Sequence, residues 1–128
     1  MAPSYWLTYD ERPGYLLARV GGLSDSRETS ISFWQEIGLE ARARNVRRLL
    51  VQENFRNFVN PADTFDISRF VAELFERLEM PNVRIAFLDE QPDQLEANRA
   101  GERAATDYGL CVKAFADLSE AEAWLLAE

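Results

Sequence analysis

Histidine is absent from the 128-residue chain, which removes the commonest general base, the usual metal ligand and every His-dependent triad. Cysteine occurs once, so an internal disulfide and Cys–Cys zinc spacing are both excluded. Cys111 lies in an apolar run and reads as a small core residue. No apolar stretch approaches the roughly 20 residues of a spanning helix, so no membrane insertion is expected. Basic charge is scarce: 14 Lys and Arg face 22 Asp and Glu, for a net charge of -8. That field repels phosphate backbones and anionic lipid, and excludes nucleic acid as an expected partner. Glycine-rich phosphate loops are missing too. Gly21-Gly22-Leu23-Ser24 has neither the dinucleotide pattern nor the terminal Lys of a P-loop, and reads as a tight strand exit. The N-terminal Met1–Trp6 lacks the basic-then-apolar order of a leader. A reducing, cytoplasmic setting is the economical expectation, with no metal and no cofactor.

Hydrophobic residues at 47% and charged residues at 28% are ordinary for a globular chain and exclude wholesale disorder. The length suits one domain, residues 1–128. Ser4 to Asp10 and Tyr15 to Val20 suit strands, joined by a turn at Pro13-Gly14, so an antiparallel hairpin opens the chain. Gly21-Gly22 should end the second strand, and Asp25 with Glu28 should cap the next helix. Ile31, Trp34, Gly38 and Ala41 then form an apolar helical face. Arg42, Arg44, Arg47 and Arg48 crowd its C-terminal end, where cations complement the helix dipole.

Arg48 to Glu53 predicts a third strand, followed by a loop from Asn54 to Val59 and a helix start at Asn60-Pro61. Ile67, Phe70, Val71, Leu74, Phe75 and Leu78 recur at intervals of three and four, the clearest amphipathic helix in the chain. The last third reads strand, helix, strand, helix, with Val83 to Leu88 and Leu110 to Phe115 as the strands. Between them, Ala97, Ala100, Gly101, Ala104, Ala105 and Tyr108 make a face of mainly small residues, suited to a sheet or a partner helix. Asp117 and Glu120 pair as a cap for the closing helix. Strands alternating with helices require crossovers and imply an α/β fold with a mostly parallel sheet.

Chemistry is less legible. Glu53, Asp89 and Glu90 fall at the C-terminal ends of expected parallel strands, the edge where open sheets bind ligands. Solvated loop carboxylates are the plainer reading. Asn54-Phe55-Arg56-Asn57-Phe58 places two Phe in a loop on that edge, to be folded onto the core or presented as a contact patch.

The element order, a hairpin followed by three helix–strand units and a final helix, resembles the STAS fold of the anti-sigma-factor antagonists. Val83-Arg84-Ile85-Ala86-Phe87-Leu88 and the ending from Val112 to Leu125 are closer to the SpoIIAA-like, STAS-related group of small bacterial proteins. The resemblance implies a five-stranded mixed sheet with an antiparallel first strand and about four helices. It also implies regulatory relatives, and lipid-transfer-like ones that hold apolar ligands. The Asp-Ser phosphorylation site of the antagonists has no counterpart here: Asn54 to Asp66 offers only Thr64, with Ser68 a turn further in.

Three functions remain open. The first is a non-enzymatic regulatory or protein-interaction module. Its surface would span Gly21–Asp25, Asn54–Thr64 and Asp89–Pro92, with Ser24, Asp25, Asn54, Phe55, Arg56, Phe58, Thr64, Asp89 and Glu90 as contact residues. The second is a carrier or sensor of a small apolar, lipid-like molecule held between the sheet and the helix bearing Phe65, Phe70 and Phe75. The third is an enzyme using Asp89, Glu90 or Glu53 as a base. A homodimer through an edge strand or the Trp124 helix is compatible with each.

Overall fold

The structure, a computed structural model, describes residues 4–128. Met1–Pro3, half of the segment read above for a leader, lie outside the described residues. In chain order the elements are β1 (Trp6–Arg12), β2 (Tyr15–Ser24), α1 (Arg27–Ala43), β3 (Arg48–Asn57), α2 (Thr64–Arg77), β4 (Arg84–Leu88), α3 (Leu95–Asp107), β5 (Cys111–Phe115) and α4 (Leu118–Leu126). Single 3-10 turns, Pro61–Asp63 and Pro92–Gln94, lead into α2 and α3.

The strands lie in the order β1-β2-β3-β4-β5, with β1 antiparallel to β2 and every other pair parallel. Because each parallel strand sits beside its predecessor, right-handed crossovers send α1, α2 and α3 to the same face. On that face Leu16, Val20, Leu49, Val51 and Ile85 pack against Phe33, Ile37, Val71 and Phe75. On the other, Leu17, Leu50, Ala86 and Leu88 meet Ala121 and Leu125 of α4. Covered on both faces, Leu49-Leu50-Val51 and Ile85-Ala86 are continuous apolar runs. Gly14, at φ 87, takes the left-handed position of the hairpin turn. Asp117 caps α4 by accepting from the Glu120 N–H at 2.9 Å, as its spacing predicts.

Several local expectations change. Gly21-Gly22 does not end β2, which runs on to Ser24, and β3 continues through Asn54, Phe55 and Arg56 to Asn57. The two strands remain in register out to Ser24 opposite Asn57, so each supplies the ladder that its composition alone would not hold. Ser26, not Asp25, caps α1, accepting from the Thr29 N–H at 3.1 Å. The buried face of α1 is carried by Phe33, Trp34, Ile37, Gly38 and Ala41, with Ile31 at its margin. Cys111 is exposed, because β5 is an edge strand, and is not a core residue.

Gly21 has a packing reason to be glycine. A Cβ there would lie 2.4 Å from the Asn54 carbonyl oxygen and 2.5 Å from the Trp6 ring. Gly21→Ala should therefore cost about 1–3 kcal/mol through overpacking. A urea melt checks this; an unchanged midpoint would contradict the close approach of β1, β2 and β3.

Candidate functional site

The sheet's parallel strands end together, and three consecutive ends carry a carboxyl group. Asp25 follows β2, its N–H continuing the ladder to the Asn57 carbonyl at 2.9 Å. Glu53 lies within β3, in the row Leu49, Val51, Glu53, Phe55 that faces the helices by strand alternation. Asp89 follows β4 in the row Ile85, Phe87, Asp89, its N–H bonded to the Phe115 carbonyl at 3.1 Å. All three side chains line one cavity of about 130 Å³ between the sheet and α2 and α3.

The cavity lies between the sheet and α2 and α3, which pack closely together. Gly101 allows α3 to approach α2: a Cβ there would sit 3.3 Å from Thr64 Cγ2. Ser68 Oγ donates to the Gly101 carbonyl at 3.1 Å and ties the two helices together. Trp34, Phe87, Val71 and Val112 supply apolar wall; Asn98 and Glu102 add polar groups from α3. Glu102 is engaged, accepting from the Ala114 N–H of edge strand β5 at 2.6 Å. Asn98 Nδ2 is withdrawn from solvent and has no hydrogen-bond partner.

Burial sets the electrostatics. Asp25 is pushed up to about 6 by loss of water, even though Ser30 Oγ donates to its two oxygens at 2.8 and 2.9 Å and the Ser26 N–H donates at 2.8 Å. Glu53 is raised well above the usual carboxylate range, first by burial and then by the negative charges of Asp25 and Asp89. Its interaction with Asp25 adds to the rise of Glu53 and acts in the opposite direction on Asp25. Asp89 is also raised by burial, opposed by the Gln91 N–H that it accepts at 3.0 Å. No Lys or Arg lines the cavity. The site thus combines three carboxyls whose ionisation burial opposes with an apolar wall. Among the described residues, no group of three or more metal-ligating side chains is placed to hold an ion.

Of the residues singled out in sequence as contacts or bases, Asp25, Glu53, Phe58, Thr64 and Asp89 line this cavity. Ser24 lies outside it, with its hydroxyl 3.0 Å from Asn57 Nδ2, and Asn54 and Arg56 are exposed. Phe55 is 1% exposed and belongs to the core, because β3 extends through it; it is no contact residue. Glu90 accepts from Gln52 Nε2 at 2.9 Å in exposed surroundings, away from the three carboxyls. The expected aromatic lining from α2 also changes: Phe75 is core and Phe65 is exposed, and neither they nor Phe70 touch the cavity. Ser68 is buried and already bonded, unlike a free phosphate acceptor. Sequence reasoning missed Ser30, Asn98 and Glu102 altogether. Glu53 was signalled by its place at the end of the expected third strand, and the structure sets it inside the longer β3.

This arrangement stands on a SpoIIAA-like α/β fold. Among solved structures, the chain is similar to an uncharacterized protein of the DUF3478 family with that fold from Shewanella loihica PV-4. The TM-score is 0.53 at 14% identity, covering 95% of this chain and 94% of that one. At such identity the likeness defines the fold alone. No family model matches the chain, and no curated protein does. No helix among the described residues is long and apolar enough to cross a membrane.

Proposed function

We propose that the protein is a non-enzymatic regulatory module of the STAS-like type, a single cytoplasmic domain whose input is a small molecule. The cavity walled by Asp25, Glu53, Asp89 and Asn98 carries this reading. A packed core has no use for three carboxyls and an unpartnered amide, since each costs free energy to bury. A ligand that bonds them recovers that cost. The wall favours a ligand with a polar head as well as an apolar body. Exposed Leu23 and Phe65, at the end of β2 and the start of α2, offer the protein contact on the same sheet edge that Phe55 does not. A protein partner there would sense occupancy of the cavity. Neither nucleic acid nor membrane suits the acidic surface.

Fragment screening by amide NMR tests the proposal. Binders should shift Ser30, Ser68, Gly101 and Ala105 together, and be recovered unchanged after prolonged incubation. Shifts confined to other surfaces would overturn the binding site. Conversion of a bound fragment would favour the second reading, acid–base catalysis, which the upward shifts of Asp25 and Glu53 support.

A further inference from the structure

We infer that Glu102 keeps the β5 edge of the sheet from pairing with the same edge of a second copy of this chain. The contact is autoinhibitory: one side chain occupies the main-chain donor through which another strand would add.

β5 is the last strand of the sheet and pairs with β4 on one side only. Successive residues of a parallel strand turn their main-chain groups to alternate sides. The Phe115 carbonyl turns toward β4, accepting from the Asp89 N–H at 3.1 Å. Val112 and Ala114, between the residues that bond β4, therefore turn their N–H and carbonyl groups outward. A row of this kind is a template for a further strand.

Composition sharpens the hazard. Leu110-Cys111-Val112-Lys113-Ala114-Phe115 has no proline and a single charge, the makeup of segments that stack on copies of themselves. Every copy presents the same edge, and two such edges meet antiparallel about a twofold axis. A second copy is thus the occupant that this edge invites.

Glu102 answers it from α3. Its carboxylate accepts from the outward Ala114 N–H at 2.6 Å, a charge-assisted bond. Among the described residues, no other side chain bonds to a main-chain group of β5. An incoming strand has to displace this carboxylate, and the same loss falls on the other copy, so pairing forfeits two such bonds. The shortness of β5 and the exposed charge of Lys113 act in the same direction.

Sedimentation equilibrium on the full chain compares the native sequence with Glu102→Ala and Glu102→Gln. Glu102→Ala should self-associate at least about 10-fold more tightly, because its free N–H gains a bond on pairing and no carboxylate is displaced. Glu102→Gln keeps an acceptor oxygen and should stay at the native level, a rescue that general loosening of α3 does not produce. Amide NMR at rising concentration should place the shifts of Glu102→Ala on Val112 and Ala114; shifts confined to other surfaces would overturn the assignment of the edge. Native-level association of a folded Glu102→Ala would overturn the inference outright. Hydrogen exchange on the native protein decides the matter where that variant does not fold. The Ala114 amide should exchange at least about 10-fold more slowly than that of Val112, and equal rates would mean that no cap is in place.

Discussion

Phe55→Ala should lower stability by about 3–5 kcal/mol, the cost of deleting a large aromatic side chain from a close-packed core. The ring is 1% exposed and stacks on Phe33 with centroids 5.9 Å apart. Phe33 in turn meets Tyr5 edge-on, also at 5.9 Å, so the cluster joins the residue before β1 to α1 and β3. Removing the Phe55 ring leaves a cavity beneath α1 that the sheet cannot collapse to fill. Urea unfolding measures the loss directly. A change within about 0.5 kcal/mol, the usual range for surface substitutions, would return Phe55 to the surface and shorten β3.

The second large effect is a fall in stability with rising pH. Asp25 is raised from 3.8 to about 6 on folding, so the native state binds the proton more tightly than the unfolded chain. The resulting stabilisation is complete below pH 3.8 and is lost as pH passes through about 6. Between pH 4 and pH 7 this amounts to about 2 kcal/mol at 1.36 kcal/mol per pKa unit. Glu53 shifts in the same direction, so it extends the decline to higher pH. Glu53→Gln keeps the shape and needs no ionisation. Its stability at pH 8 should exceed that of the native sequence, with a flatter upper end to the profile. Urea midpoints taken from pH 4 to pH 8 on both proteins check this; parallel profiles would mean that Glu53 is solvated.

Both effects come from one feature that the sequence only half reveals. Hydrophobic periodicity located each helix and strand, because an α/β sheet buried on both faces leaves long apolar runs between polar turns. Strand ends were harder. Asn54, Arg56 and Asn57 are poor strand formers, yet they are held in β3 by pairing with Gly21 to Ser24, a long-range contact that no local window contains. Ending β3 at Glu53 turned Phe55 into a loop residue and hid the inward row that it shares with Glu53. The three carboxyls are 28 and 36 residues apart in sequence, from Asp25 to Glu53 and on to Asp89, and converge only because parallel strands stack in order. Asn98 and Glu102 carried no signal at all. On an amphipathic helix they resemble ordinary polar positions, and only the packing of α3 beside α2 over the sheet gives them a cavity to face.

The most direct measurement is a carbon-13 NMR titration of the side-chain carboxyls, with Asp25, Glu53 and Asp89 assigned individually. The account predicts that Asp25 titrates near pH 6, that Glu53 retains its proton well beyond the ordinary range, and that the two titrations influence each other. Three independent titrations in the ordinary carboxylate range would mean that water reaches all three groups freely, and would contradict the acidic cavity on which the proposed function rests.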